Sequence, residues 1–188
     1  MIEITALRCR SLYIESLSIP KGLTFIRGRN GVGKTTLLEL AAGLRLPESG
    51  RISIDGKNPR EIHCGYVSEF PSRSLLFSRV SDELSSALRF AGISEEEILL
   101  ETKETAEIFG ISHLLSRDCR TLSGGEKVLT AVSAAAAGHP TLIVLDEPDS
   151  HLDEQTAQET ADALQNMHVP YILWASHRNF CGGYEVVL

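Results

Sequence analysis

Residues 28–35 read GRNGVGKT and stand between the β-forming run LTFIRG and the helix-forming run TTLLELAAGL. This stretch matches the pattern G-x-x-x-x-G-K-[ST], whose glycines let backbone N–H groups turn inward around a β-phosphate at the positive N-terminal end of a helix. Lys34 adds a full charge for the β- and γ-phosphates, Thr35 offers a hydroxyl to Mg²⁺, and Thr36 can reach the α-phosphate. With strand, lysine and threonine all in place, a glycine turn that merely caps a helix is a poor alternative.

The stretch therefore predicts a nucleoside triphosphate site. Kinases, GTPases and ATPases share this phosphate cradle, so the stretch alone does not choose among them. The residues expected to hold the nucleotide are Gly28, Arg29, Asn30, Gly31, Val32, Gly33, Lys34, Thr35 and Thr36.

Strand and helix patterns alternate along the rest of the chain, which indicates an α/β fold with a parallel core sheet. The first third reads as short strands, ITALRC, YIESLSI, LTFIRG, RISIDG and IHCGYVS, around a helix at residues 33–44. The middle third has helical patterns at residues 82–90 and 94–108, and Ser94 with Glu97 forms a capping box. In the final third a helix follows Gly125, the buried strand TLIVLDEP comes next, and a helix at residues 154–167 precedes the strand PYILWAS. We expect one domain over residues 1–188, with a helical lobe inserted at approximately 72–138.

The composition limits the classes of partner. The chain has 18 Lys and Arg against 25 Asp and Glu, a net charge of −7, which disfavours a broad electrostatic surface for DNA, RNA or anionic lipid. We therefore expect no nucleic-acid partner. No apolar run approaches the roughly 20 residues of a membrane-spanning helix. The cysteines have no CxxC pair and no zinc-finger spacing, so they are predicted to be reduced thiols: Cys9, Cys64, Cys119 and Cys181.

A second motif names a family. Residues 122–126 read LSGGE and open a helix that leads directly into the strand LIVLDEP. Here the sequence resembles the ABC ATPase family, whose signature is LSGG followed by Gln or Glu. The resemblance implies that Ser123, Gly124 and Gly125 reach the γ-phosphate bound by an opposite subunit, a task that suits a helix N-terminus. It also implies the ABC ATPase fold, which has a P-loop NTPase core with a mainly parallel sheet, an N-terminal antiparallel β subdomain and an inserted α-helical lobe.

Further family positions follow the strand at residues 142–145, which delivers Asp146 and Glu147 at its carboxyl end, where ligands bind in open parallel sheets. By resemblance, Asp146 holds Mg²⁺ and Glu147 is the general base that polarises the attacking water. His177, after the strand YILWA, matches the histidine that contacts the γ-phosphate. Residues 150–153, SHLD, end in Asp153 and occupy the place of the loop that passes between the two nucleotide sites of a dimer.

Two departures from the family pattern concern the expected nucleotide site. Glu69 stands where most members have Gln, at a position that contacts Mg²⁺, so we expect Glu69 as a metal ligand, with a solvent-facing surface residue as the alternative. The aromatic that stacks on adenine is also absent, since Cys9 and Arg10 stand near its expected place and Tyr13 is only a loose substitute.

Residues 65–98 look like the corresponding stretch of energy-coupling factor (ECF) transporter ATPases, with matches at Phe70-Pro71, Leu76-Phe77, Val80 and Asp82-Glu83. The resemblance implies an ATPase that uses ATP and Mg²⁺, pairs with a second ATPase subunit as a homo- or heterodimer, and drives transmembrane subunits. Such subunits import vitamins or cobalt and nickel ions, so we expect this chain in the cytoplasm, peripheral on the inner face of the cell membrane.

Two alternatives stay open. One is an ABC ATPase that is not coupled to transport and acts on nucleic acid, ribosomes or iron–sulfur assembly. The long coiled coil of repair-type members and the second cassette of translation-type members do not occur in these 188 residues. The other is a nucleotide-gated scaffold with little turnover, which Glu69 makes conceivable and an intact set of Asp146, Glu147 and His177 argues against.

Overall fold

Two β-sheets organise the molecule in this computed structural model, which describes residues 1–178 and 182–188. In chain order the strands are β1 Ile2–Cys9, β2 Leu12–Ile19, β3 Gly22–Arg27, β4 Ser49–Ile54, β5 Cys64–Val67, β6 Leu142–Asp146, β7 Tyr171–Ala175 and β8 Tyr184–Val187. The helices are α1 Lys34–Ala41, α2 Val80–Ala91, α3 Glu95–Ile108, α4 Gly124–Ala137 and α5 Glu154–Asn166, and short 3₁₀ turns stand between several elements. Cys9, Cys64 and Cys119 are free thiols, and Cys181 lies outside the described residues.

The smaller sheet is antiparallel, with strand order β2-β1-β4. Its strands alternate buried and exposed residues, as a sheet with one face in water should. Ile2 of β1 pairs with Ile19 on one side and Ile54 on the other, so the three strands present one apolar face to the rest of the molecule. The predicted N-terminal antiparallel β subdomain is confirmed.

The larger sheet is parallel throughout, with strand order β5-β6-β7-β3-β8. Every residue of β6 and of β7 is buried, because helices or the other sheet cover both faces. Alternate residues of β6 enter two separate cores: Ile143 and Leu145 pack with α4 and α5, whereas Leu142 and Val144 pack with α1 and the antiparallel sheet. The carboxyl ends of the central strands therefore meet at one edge.

The stretch between β5 and β6 is mainly helical, as predicted, and α2 and α3 pack against α4. The capping box at the start of α3 is confirmed, since Ser94 Oγ accepts from Glu97 N–H at 3.3 Å and Glu97 Oε2 accepts from Ser94 N–H at 3.1 Å. The lobe limits of 72–138 and the single domain remain predictions. No helix in the described ranges is both long and apolar enough to cross a membrane.

One predicted helix is shorter than expected. Residues 33–44 were expected to be helical, but α1 spans Lys34–Ala41. The chain turns at Gly43, whose φ is +71°, and the N–H groups of Gly43 and Leu44 bond back to the carbonyls of Leu40 and Glu39. This closing pattern satisfies the last helical carbonyls and ends the helix.

Candidate functional site

The predicted phosphate loop runs from the end of β3 to the start of α1. Gly33 precedes α1 with φ +116°, and a side chain there would approach Leu12 to 3.1 Å. At Gly28, φ is +152°, and an added Cβ would lie 2.7 Å from the Val32 side chain. Both positions require glycine, and the resulting loop brings backbone close to the N-terminus of α1, as a phosphate cradle needs.

The loop forms one wall of an open cleft of about 370 Å³. Residues from three other stretches complete this cleft, which brings the predicted Glu69 and Glu147 beside the loop. The lining residues are Arg10, Ser11, Asn30, Gly31, Gly33, Lys34, Thr35, Thr36, Glu69 and Glu147. Of the residues weighed for adenine contact, Arg10 therefore faces the cleft. Cys9 is buried and is not among the lining residues. Tyr13 is exposed, and the Arg8 guanidinium carbon lies 5.7 Å from the centre of the Tyr13 ring.

Lys34 and Glu147 line the cleft, and His177 contacts both of them. Lys34 Nζ lies 3.1 Å from Glu147 Oε1, 3.3 Å from His177 Nε2 and 3.1 Å from the carbonyl oxygen of Gly28. His177 Nε2 also lies 3.0 Å from Glu147 Oε1. The Lys34 side chain is only 5% exposed, so the neighbouring carboxylate compensates a buried positive charge.

The strand ends explain how these side chains come together. Glu147 directly follows β6, and His177 follows the neighbouring parallel strand β7. The chain turns sharply at Glu147, which has φ +52° and ψ +43°, a left-handed conformation that costs a glutamate about 1–3 kcal/mol. Its N–H donates to the Ala175 carbonyl at 3.1 Å, and its own carbonyl accepts from Ser150 N–H and Oγ at 3.2 and 2.8 Å. These bonds hold the strained turn that directs the Glu147 carboxylate into the cleft.

Asp146 lies at the end of β6 and is 3% exposed. Burial raises its pKa to about 6, and the charges of Glu147 and Glu69 add to this rise, while a hydrogen bond with Thr35 and the charge of Lys34 oppose it. Its Oδ1 atom has no hydrogen-bond partner among the described residues. An unpaired buried carboxylate oxygen beside the Thr35 hydroxyl fits the oxygen donors that Mg²⁺ prefers. Residues 1–178 and 182–188 contain no group of three His, Cys, Asp or Glu side chains around a metal position. Mg²⁺ is commonly held by one or two carboxylates together with phosphate and water oxygens.

The LSGGE motif lies outside this cleft. Ser123 is the N-cap of α4, and its hydroxyl accepts from Glu126 N–H at 3.3 Å while Glu126 Oε2 accepts from Ser123 N–H at 2.7 Å. Ser123 and Gly124 are exposed, and Gly125 lies against His151, whose carbonyl oxygen would be 3.4 Å from an added Cβ. Asp153 is exposed as the N-cap of α5. Within the described chain, the structure does not bring Ser123, Gly124, Gly125 or Asp153 to the phosphate loop.

Sequence reasoning missed Asp149, which is 3% exposed and hydrogen-bonded to Trp174 and Ser176. A third acid shortly after Asp146 and Glu147 was the available signal, but its partners come from a different strand. The positions of Arg10 and Ser11 at the cleft were also not predicted, since they depend on how the β1–β2 turn packs beside the loop.

Comparisons with known proteins agree with this geometry. Residues 15–150 match the family model described as ABC transporter. The molybdate/tungstate import ATP-binding protein WtpC of Thermococcus kodakarensis is 40% identical over 166 residues, which cover 83% of this chain and 49% of that protein. The chain thus spans about half the length of this curated relative.

Two solved structures share the fold. The structure of cbiO1 from Clostridium perfringens, described as part of the ABC transporter complex cbiONQ, superimposes with a TM-score of 0.83 at 26% identity, over 94% of this chain and 78% of that one. The ATP-binding cassette MJ0796, in a dimeric post-hydrolysis state with ADP and Pi, superimposes with a TM-score of 0.81 at 20% identity, over 95% and 88% of the two chains. The predicted α/β fold is therefore confirmed.

Proposed function

The chain belongs to the ATP-binding proteins of the ABC transporter family, and from this membership we propose that it binds ATP with Mg²⁺ and hydrolyses it as one half of a dimer. One observation carries the proposal. Lys34, Glu147 and His177 converge beside Asp146 at the phosphate loop, while the LSGGE residues that should face a nucleotide lie on the surface. The chain thus has two complementary half-sites.

Binding rests on the loop and on Lys34. The backbone N–H groups of the loop and the N-terminus of α1 receive the β-phosphate, and Lys34 supplies the full positive charge. Thr35 and Asp146 would hold Mg²⁺, with Glu69 as a further candidate ligand. Bound there, the ion would neutralise charge on the phosphate oxygens. Incoming phosphates compete for Lys34, which is paired with Glu147 at 3.1 Å, and so free the glutamate.

Hydrolysis then uses Glu147 and His177. Water attacks the γ-phosphorus, the bond to the β-γ bridging oxygen breaks, and ADP leaves. Glu147 accepts the proton that the attacking water loses. His177 holds the γ-phosphate and orients the water beside Glu147, a position consistent with the 3.0 Å separation of the two side chains.

The second subunit completes the site. Ser123, Gly124 and Gly125 stand at the exposed N-terminus of α4, where a hydroxyl and backbone N–H groups can meet the γ-phosphate of an opposite chain. Asp153 is the N-cap of α5 and follows His151 and Leu152 in the chain, the two residues against which Gly125 lies. We propose a second copy of this chain as the dimer partner.

We propose transport as the process that this cycle drives. Leu76 is 83% exposed and Phe77 is 38% exposed, and the buried Glu83 holds their backbone by accepting from both N–H groups at 2.8 and 2.7 Å. This fixed apolar loop is suited to a transmembrane subunit at the inner face of the membrane. Its match to ECF-type ATPases supports import of a vitamin or metal ion, and the relative named for molybdate/tungstate import makes an oxyanion the second candidate cargo.

The test of this function is Lys34→Ala. Loss of the charge should abolish ATP hydrolysis and weaken nucleotide binding, since the Lys34 ammonium group lines the cleft within the phosphate loop. Lys103→Ala, which removes an exposed lysine from α3, is the matched control and should behave as wild type. ATPase assays and filter binding give both readouts. Wild-type hydrolysis by Lys34→Ala would contradict the proposed function.

A further inference from the structure

Asp149 joins the two segments that carry Glu147 and His177. Its Oδ1 accepts from Trp174 Nε1 at 2.9 Å, and its Oδ2 accepts from Ser176 Oγ at 2.8 Å. Asp149 is 3% exposed, and the Trp174 and Ser176 side chains are also buried. One carboxylate therefore bridges the turn after β6 to the end of β7.

Arg178 also contacts this group of residues. Its Nε lies 3.9 Å from Asp149 Oδ2, and its Nη1 donates to the Leu152 carbonyl at 2.9 Å. Its backbone N–H donates to Ser176 Oγ at 2.9 Å. The residues on both sides of His177 are thus bonded to residues 149–152, which follow Glu147 in the chain.

Buried carboxylates are costly to keep for stability alone. Apolar groups of similar volume often stabilise a protein equally well, whereas a fully hydrogen-bonded buried acid can fix one arrangement of the groups around it. Here the neighbouring groups are His177 and Glu147, whose reactive atoms lie 3.0 Å apart at the cleft. Asp149, Trp174 and Ser176 are not among the residues that line the cleft in the described chain.

We propose that Asp149 is a positioning residue for hydrolysis. Its carboxylate holds Ser176, and through it His177, in register with the turn that presents Glu147. The inference rests on the proposed function, because it assigns Asp149 a part in that reaction. Asp149 does not touch ATP, so its loss should change the rate of the chemical step rather than nucleotide binding.

The experiment compares Asp149→Asn and Ser176→Ala with wild type. Each variant weakens the bridge while leaving the phosphate loop unchanged. We expect kcat to fall by roughly 10- to 100-fold, as small misplacements of reacting groups do, with the ATP dissociation constant nearly unchanged. Single-turnover hydrolysis and equilibrium binding separate the two quantities.

Thr160→Val is the matched stability control. It removes a buried hydroxyl that donates to the Thr156 carbonyl at 2.7 Å within α5, away from the cleft. Thr160→Val should lose thermal stability comparably to Ser176→Ala but keep wild-type kcat. If Asp149→Asn fails to fold, Ser176→Ala decides alone.

The outcomes separate the two proposals. A wild-type protein without ATPase activity would overturn the proposed function, and the positioning role with it. An active wild type whose Ser176→Ala and folded Asp149→Asn variants keep its kcat would overturn the positioning role alone. A kcat loss shared equally by Thr160→Val would also overturn it, since general destabilisation would then explain the effect.

Discussion

The Glu69 carboxylate lies at the cleft in which we propose that a triphosphate binds. It lines the same cleft as Glu147, and its charge contributes to the raised pKa of Asp146. At about 4 Å and an effective dielectric constant near 20, repulsion between two unit charges is on the order of 4 kcal/mol. A cation between Glu69 and the phosphates offsets this repulsion, which is the physical reason to expect Glu69 as a metal ligand.

Glu69→Gln tests this role. The change should raise the Mg²⁺ concentration needed for half-maximal ATPase activity and for tight ATP binding, since an amide oxygen binds the ion less strongly than a carboxylate. Activity at saturating Mg²⁺ should stay within several-fold of wild type. Glu95→Gln, at an exposed acid of α3, is the control. Superimposable Mg²⁺ titrations of Glu69→Gln and wild type would leave Glu69 as a surface residue.

Individual site residues differ in how far the sequence could predict them. Lys34 and Glu147 belong to local motifs whose spacing carries chemical meaning, and both lie at the cleft. Asp149 shows no such spacing, because its partners are Trp174 in β7 and Ser176 just after β7, a strand that is close to Asp149 only in the assembled sheet. Arg10 was recognised as a departure, but its place at the cleft depends on the packing of a turn.

At the scale of the element, the boundary of a helix is predicted well where the sequence contains capping residues. The Ser94 and Glu97 box places the start of α3 correctly, whereas α1 ends early because the turn at Gly43 competes with continued helix. The buried strands β6 and β7 were predictable from their apolar runs. The order in which these strands pair could not be predicted from the runs themselves, because it depends on how all the strands assemble into the sheet.

A substitution at the start of α4 tests whether the LSGGE residues act on the nucleotide that the opposite subunit binds. Ser123→Arg places a bulky cation at an exposed N-cap outside the cleft of its own chain. ATP binding by the single subunit should stay intact, while hydrolysis should be blocked because the opposite half-site is obstructed. Filter binding and ATPase assays measure the two effects.

Ser94→Arg is a closely matched control. It disrupts the other Ser–Glu capping box, at the start of α3, and should cost a similar stability of about 1 kcal/mol. Hydrolysis by Ser94→Arg should remain close to wild type. Loss of ATP binding in Ser123→Arg would count against the assignment of LSGGE to the opposite subunit.

At the scale of the whole molecule, the phosphate loop lines the cleft, whereas Ser123 and Gly124 of the LSGGE motif are exposed outside it. The family fold and the meeting of the β6 and β7 ends were predictable from motif order, since parallel strands bring their carboxyl ends to one edge. The packing of α1 between the two sheets and the division of the interior into two cores arise from tertiary contacts.

The most direct test of the account is the mass of Glu147→Gln in solution with saturating ATP and Mg²⁺. Without its general base, this variant should hydrolyse ATP roughly 10²- to 10⁴-fold more slowly, so the closed state accumulates. Light scattering should then show a shift from the 20.6 kDa monomer to a dimer of twice that mass. Adding Ser123→Arg to the same variant should keep it monomeric. A Glu147→Gln protein that binds ATP yet stays at the monomer mass would contradict the dimeric mechanism.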